Sequence, residues 1–277
     1  MKKFLLFFLL FSASWTATAA EYPFSVTRYG TGKQAVLFIP GFASSGTVWQ
    51  ETVNQLGSGY TAYVLTMAGF AGEKPSEDTP SFEARTKSIA AFIEHEKIDR
   101  PIIVGHSMGG AWALAVAAEL PNRVQKVVVV DALPCLAAVS NPDFRADAHP
   151  DCSAIVQQMT AMPDALFKTM QQGAAASLCK DTGKQKDIVN WSLASDRNTL
   201  AQLYCSFLNT DLRTQLPQIS VPVLILLQPS FQNISETVEG QYAALPQHEV
   251  HYASKGLHFI MYDDKLWYLN ELNRFIR

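Results

Sequence analysis

The chain is poor in charge. Only 17% of its 277 residues are Asp, Glu, Lys or Arg, and the formal net charge is −3. That balance offers no basic surface to nucleic acid and no polybasic segment to an anionic membrane. Long apolar runs are also lacking. The run at residues 4–11 is unbroken, but it falls well short of the roughly 20 residues that a spanning helix needs. There are four cysteines and no C-x-x-C pair, which argues against a zinc or dithiol motif. No G-x-G-x-x-G follows a strand-like run and no G-x-x-x-x-G-K-[ST] occurs, so nothing points to a nucleotide. His95-Glu96 lacks the second histidine of a zinc-protease motif.

What is present begins with a leader. Met1-Lys2-Lys3 is basic, residues 4–11 are apolar and residues 16–20 are small, the pattern of a secretory signal peptide (1–20) cleaved after Ala20, with Ala19 as the alternative. The mature chain, 21–277, is expected in the periplasm or outside the cell. It keeps 20 basic residues against 25 acidic ones, a charge of about −5. Cys135, Cys152, Cys179 and Cys205 all survive processing. In an oxidising compartment they suggest two disulfides, and of the three possible pairings Cys135–Cys152 with Cys179–Cys205 is favoured.

Periodicity gives the class of fold. Segments at 34–39, 60–67, 101–104, 124–130, 221–227 and 247–252 read as strands after an edge strand at 23–29, and 34–39 and 221–227 are continuous apolar runs of the kind buried within a parallel sheet. Helical patterns lie between them, at about 47–56, 81–97, 111–120, 236–245 and 266–276. Alternation of this kind predicts an α/β fold, a doubly wound and mostly parallel sheet. Residues 132–216 break it. Ile155, Met159 and Met162, and then Leu200, Leu203, Tyr204 and Phe207, have helical spacing, with no convincing strand among them. Helices inserted after the carboxyl end of a strand are expected to sit over the ligand site of such a sheet. The expected layout is a core of 21–131 and 217–277 with a helical cap at 132–216. The cap's Met159, Met162, Met170, Phe144, Phe167, Trp191 and Tyr204 suggest an apolar pocket, although packing among the cap helices explains most of them equally well. Phe70 is a further candidate for the lining, or for plain packing.

One hexapeptide carries the chemistry. Gly105-His106-Ser107-Met108-Gly109-Gly110 lies between the 101–104 strand and the 111–120 helix. It is G-x-S-x-G in the context of strand, sharp turn and helix that would expose a serine hydroxyl at a helix N-terminus. Here the chain resembles the α/β-hydrolase superfamily. The resemblance covers nearly the whole mature chain and is weakest in the cap. It implies Ser107 as nucleophile and the Met108 amide as one oxyanion donor. The loop after the 34–39 strand would supply the second donor, assigned to the Phe42 amide. Pro40 stands where the family usually has a histidine, so this loop matches only in its Gly41-Phe42 part.

The order serine, acid, histidine in this family makes His258, in the loop after the last strand, the expected base. His248 and His251 lie in strand-like sequence, His95 on an amphipathic helix and His149 in the cap, and His106 is expected to pack inside the turn. The acid departs from the commoner pattern, because the loop at 228–233 contains no carboxylate. Asp131, after the strand that follows the nucleophile helix, is the favoured acid. Asp196 is its rival and Glu236 a third candidate. The implied activity is an exported serine hydrolase acting on a carboxylic ester of a small apolar substrate, without metal or cofactor. Thioesters, lactones, amides or peptides are alternatives on the same triad. A non-catalytic binder of a small apolar ligand on the same scaffold is the alternative from another class.

Overall fold

The computed structural model describes residues 22–277. The leader expected at 1–20 lies outside the described residues.

Among the described residues seven strands form one sheet: β1 (Phe24–Tyr29), β2 (Gln34–Ile39), β3 (Tyr60–Met67), β4 (Ile102–His106), β5 (Lys126–Val130), β6 (Val223–Leu227) and β7 (His248–Tyr252). Their spatial order is β1-β3-β2-β4-β5-β6-β7. Only β1 runs antiparallel, pairing Phe24 with Met67 and Tyr29 with Ala62 on β3. The central strands β2, β4, β5 and β6 are buried almost throughout, which is why they read as continuous apolar runs rather than alternating ones.

Alternate residues of these strands feed two cores. Leu37, Ile103, Val127 and Ile225 join the layer beneath α2 (Phe82–His95), α3 (Met108–Glu119) and α8 (Ser235–Tyr242). Phe38, Val104, Val128 and Leu224 face the opposite layer, with α1 (Gln50–Val53), α9 (Ile260–Asp263) and α10 (Lys265–Ile276). Ser81 starts α2 by accepting the Ala84 N–H, a cap that satisfies one of the orphan amides of the first turn. The Trp112 indole of α3 donates to the Phe82 carbonyl at 3.1 Å, tying the two helices together inside the core.

Between β5 and β6 lie α4 (Ser153–Ala161), α5 (Asp164–Leu178), α6 (Thr182–Ala194) and α7 (Arg197–Leu208), with no strand among them. The favoured disulfides are not those of the structure. Cys152 is bonded to Cys205, with a Cα–Cα separation of 5.7 Å, while Cys135 and Cys179 are free and buried. Helices α4 and α7 pack together and bring these two thiols within bridging reach. Cys135 instead sits beside α8, its amide accepted by the Gln241 side chain, and Cys179 lies against Asp263. Helix pairing, not chain separation, decides which thiols meet.

Candidate active site

The serine turn is shaped by what does not fit beside it. A Cβ on Gly105 would stand 2.0 Å from the Gly109 carbonyl oxygen, and one on Gly109 would stand 2.3 Å from the Ile39 oxygen. Only glycine at both positions lets β4, the turn and α3 pass this closely. Ser107 itself holds φ +54°, a conformation that costs a non-glycine residue about 1–3 kcal/mol and persists only under a firm surrounding structure. The turn is held by the Ser107 N–H to the Val130 carbonyl at 2.9 Å and by the Gly110 N–H to the Ser107 carbonyl at 2.8 Å. The side chain is half-buried and faces a cavity of about 530 Å³.

Asp131 leaves the end of β5 with φ +49°, a second strained residue beside the first. Its side chain is fully buried, and Oδ2 accepts His258 Nδ1 at 2.6 Å. The remaining acceptor capacity is filled by Gln228, whose backbone N–H reaches Oδ1 at 2.7 Å and whose side-chain amide reaches Oδ2 at 3.0 Å. A carboxylate with three donors is held in one orientation, as a buried charge requires. With Nδ1 engaged, Nε2 is the imidazole nitrogen left for the cavity, and His258 and Ser107 both line it. A serine, an imidazole and a buried carboxylate are thus gathered at the carboxyl ends of β4, β5 and β7.

Comparison with known proteins agrees with this architecture. A family model for the alpha/beta hydrolase fold matches residues 34–158. A pimeloyl-[acyl-carrier protein] methyl ester esterase of Vibrio atlanticus is 30% identical over 202 residues, 71% of this chain and 76% of its own. The chain belongs to the α/β-hydrolase family. An N-formylmaleamate deformylase of Pseudomonas putida is 24% identical, with 86% of each chain covered. The crystal structure of a hydrolase from Pseudomonas aeruginosa superposes with a TM-score of 0.77 at 14% identity, covering 94% of this chain and 96% of that one.

The rival acids of this α/β hydrolase are engaged elsewhere. Asp196 caps α7, its Oδ1 accepting the Thr199 N–H at 2.8 Å and the Thr199 hydroxyl at 2.7 Å. Glu236 is exposed in the first turn of α8. Met108 opens α3, so its N–H belongs to the first turn, whose amides have no intrahelical acceptor. The loop after β2 reaches the same place, since a Cβ on Gly41 would lie 3.1 Å from Ser107 Cβ. That contact sets the Gly41–Phe42 peptide beside the serine. The loop is braced by the Ser44 N–H to the Gly41 carbonyl at 3.2 Å and by the Ser44 hydroxyl to the Phe42 carbonyl at 3.2 Å.

His106 does more than pack. It is buried between Trp49, Phe259 and the His258 ring, and Nε2–H donates to the His258 carbonyl at 3.0 Å. Its Nδ1 is buried and unpartnered among the described residues. Burial first, then the neighbouring His258, holds its pKa well below the usual imidazole value, so it remains neutral. Sequence reasoning also missed Gln228. The run at 228–233 offered no acid, and nothing local marked Gln228 as the residue that would hold one from the next strand.

The cavity wall is contributed largely by the α4–α7 insertion. Met159, Met170, Leu178, Ile188, Tyr204 and Phe207 line it, together with Phe42 and Phe231, and among the described residues no lysine or arginine does. Met162, Phe144, Phe167 and Trp191 are not part of the lining. Phe167 is buried beneath the Arg197 guanidinium. Phe70 is fully buried, edge-on to Phe42, so it supports the wall from behind.

Proposed function

We propose that this hydrolase is an exported serine esterase cleaving a carboxylic ester of a small apolar substrate, with Ser107 as nucleophile, His258 as general base and Asp131 as the acid. The observation that carries this reading is the 2.6 Å contact between His258 and the buried Asp131 in the cavity that Ser107 faces. His258 Nε2 takes the Ser107 proton as Oγ attacks the ester carbonyl, and Asp131 stabilises the imidazolium. The Phe42 and Met108 amides receive the oxyanion. The imidazolium then protonates the departing alkoxide, and a water deprotonated by His258 releases the acid from the acyl-enzyme.

Apolar lining without a basic side chain favours an uncharged acyl group, since an unpaired carboxylate would lose its hydration there without compensation. The Vibrio atlanticus relative is named for a methyl ester, which agrees with ester cleavage. The deformylase relative supports amide cleavage as a second reading on the same residues. Export draws on the leader pattern of residues 1–20 and on the Cys152–Cys205 bond, which suits an oxidising compartment.

The test is labelling of the purified mature protein with a fluorophosphonate, followed by peptide mapping and a panel of esters, thioesters and amides. Labelling is expected at Ser107 and absent in Ser107→Ala, with His258→Ala strongly slowed. A folded protein that resists the probe and turns over none of the panel would reject the assignment in favour of a ligand binder.

A further inference from the structure

One carboxylate outside the proposed triad gathers donors from two parts of the chain. Asp263 closes α9, shortly after His258. Its Oδ2 accepts the N–H of Leu257, the residue preceding His258, at 2.9 Å. The same carboxylate accepts the Lys180 N–H at 2.9 and 3.0 Å, the Asp181 N–H at 3.2 Å and the Cys179 thiol at 3.5 Å. Cys179, Lys180 and Asp181 form the turn between α5 and α6. Burial, then the Asp263 charge, pushes the Cys179 thiol up to about 12, so it stays protonated and able to donate. On the other flank of His258, the Phe259 N–H donates to the Leu178 carbonyl at 3.0 Å. The chain on both sides of His258 is therefore tied to one turn.

That turn is also where the cavity wall is held. Met170, Ala174 and Leu178 of α5 and Ile188 of α6 line the cavity, yet α5 buries only Phe167 and Ala175 fully. With most of α5 left partly or wholly exposed, its anchored end matters, and hydrogen bonds to an ionised acceptor are roughly twice as strong as neutral ones. The approach is close enough that a Cβ on Gly256, which has φ +104°, would stand 2.7 Å from Asp263 Cβ.

We infer that Asp263 is a positioning residue that couples the α5–α6 wall of the cavity to the loop carrying His258. An acyl chain seated against α5 and α6 then sets the turn and, through Asp263, the placement of the imidazole. Acyl length governs turnover as well as binding. The inference rests on the serine-esterase reading proposed above.

The test compares wild type, Asp263→Asn and Asp263→Ala on p-nitrophenyl acetate and p-nitrophenyl octanoate, with folding checked by circular dichroism and Tm. Small displacements of a catalytic group cost as much as about 100-fold. For Asp263→Asn we expect kcat to fall on both esters, roughly tenfold more on octanoate than on acetate, with KM within about twofold. Equal losses on both esters, or none, would overturn the coupling. Hydrogen exchange on the unmodified sequence decides the matter if neither variant folds. With an octylphosphonate on Ser107, the segments around 178–183 and 254–259 should be protected together, and more than with a methylphosphonate. Protection confined to the second segment would equally overturn it. Ser107→Ala keeps the two readings apart. If it retains wild-type turnover, the esterase assignment fails; if it is inert while the Asp263 variants behave as wild type, only the coupling fails.

Discussion

Helices α3 and α4 both border the site, and they are built in opposite ways. Eleven of the twelve residues of α3 are buried, whereas α4 buries none fully. The first carries Ser107 at its N-terminus, against the sheet; the second lends Met159 to the cavity wall. The same contrast runs through the whole site. The proposed reacting groups stand on strand ends held by glycine contacts, strained backbone and a saturated carboxylate. The wall stands on an insertion pinned by a disulfide, the Asp263 turn and a few buried side chains. A serine, an imidazole and a carboxylate must be placed within fractions of an ångström to react, whereas an apolar wall only has to exclude water around a chain. On the proposed reading, rigid elements carry the chemistry and looser ones the fit.

The sharpest way to break this contrast is at Asp131. Asp131→Asn should lower kcat/KM for an ester by about 10⁴-fold, because the amide no longer fixes the Nδ1–H tautomer of His258. Asp196→Asn should leave turnover within about twofold and cost at most about 1 kcal/mol of stability, because it is a helix cap. Steady-state kinetics beside chemical denaturation separates the two, and equal kinetic losses would move the acid off Asp131.

A smaller effect belongs to the wall. Tyr204→Ala should raise KM for an octanoyl ester roughly tenfold, about the loss of one well-buried apolar contact, while kcat for an acetyl ester stays within about twofold. A loss of acetyl turnover would show that the insertion shares in the chemistry. Reduction of Cys152–Cys205, or Cys152→Ser, should cost about 2–4 kcal/mol in denaturant unfolding. The remaining activity at 25 °C should keep its acetyl kcat, because the bond braces α4 against α7 and not the strand ends.

The subtlest test is a pH series on His106. Its folded pKa lies below the unfolded value of about 6.5, since burial disfavours the imidazolium. The unfolded chain therefore binds the extra proton first. The contribution of His106 to stability is complete above that pH and is lost as pH falls below it, by as much as about 1.4 kcal/mol per pH unit. His106→Asn should flatten the slope of unfolding free energy between pH 6.5 and 5. A slope unchanged by the substitution would mean that His106 does not titrate on unfolding.

Much of the fold is legible in the chain because its signals are local. Continuous apolar runs became β2, β4, β5 and β6, and the end positions moved by only a residue or two, as at residues 124–130, where β5 begins at Lys126. Ser107 and His258 were legible as candidates for the same reason: a glycine pattern marks one, and a position after the last strand marks the other. The pairings that the chain left open or misread depend on long-range contacts. His258 meets Asp131 across 127 positions, Gln228 meets it across 97, and Cys152 meets Cys205 across 53.

By itself, then, the sequence determined the order of strands and helices, the steric demand for glycine at 105 and 109, and the supply of candidate groups. Periodicity and side-chain volume act within a few residues of the chain, so they can be read along it. Only the tertiary structure decided which carboxylate faces His258, which thiols are bonded, which cap residues line the cavity, and that His106 and Asp263 brace the histidine loop. Those outcomes depend on how parallel strands are ordered in the sheet and how inserted helices pair above it. That is a property of the assembled layers, and no local stretch of sequence encodes it.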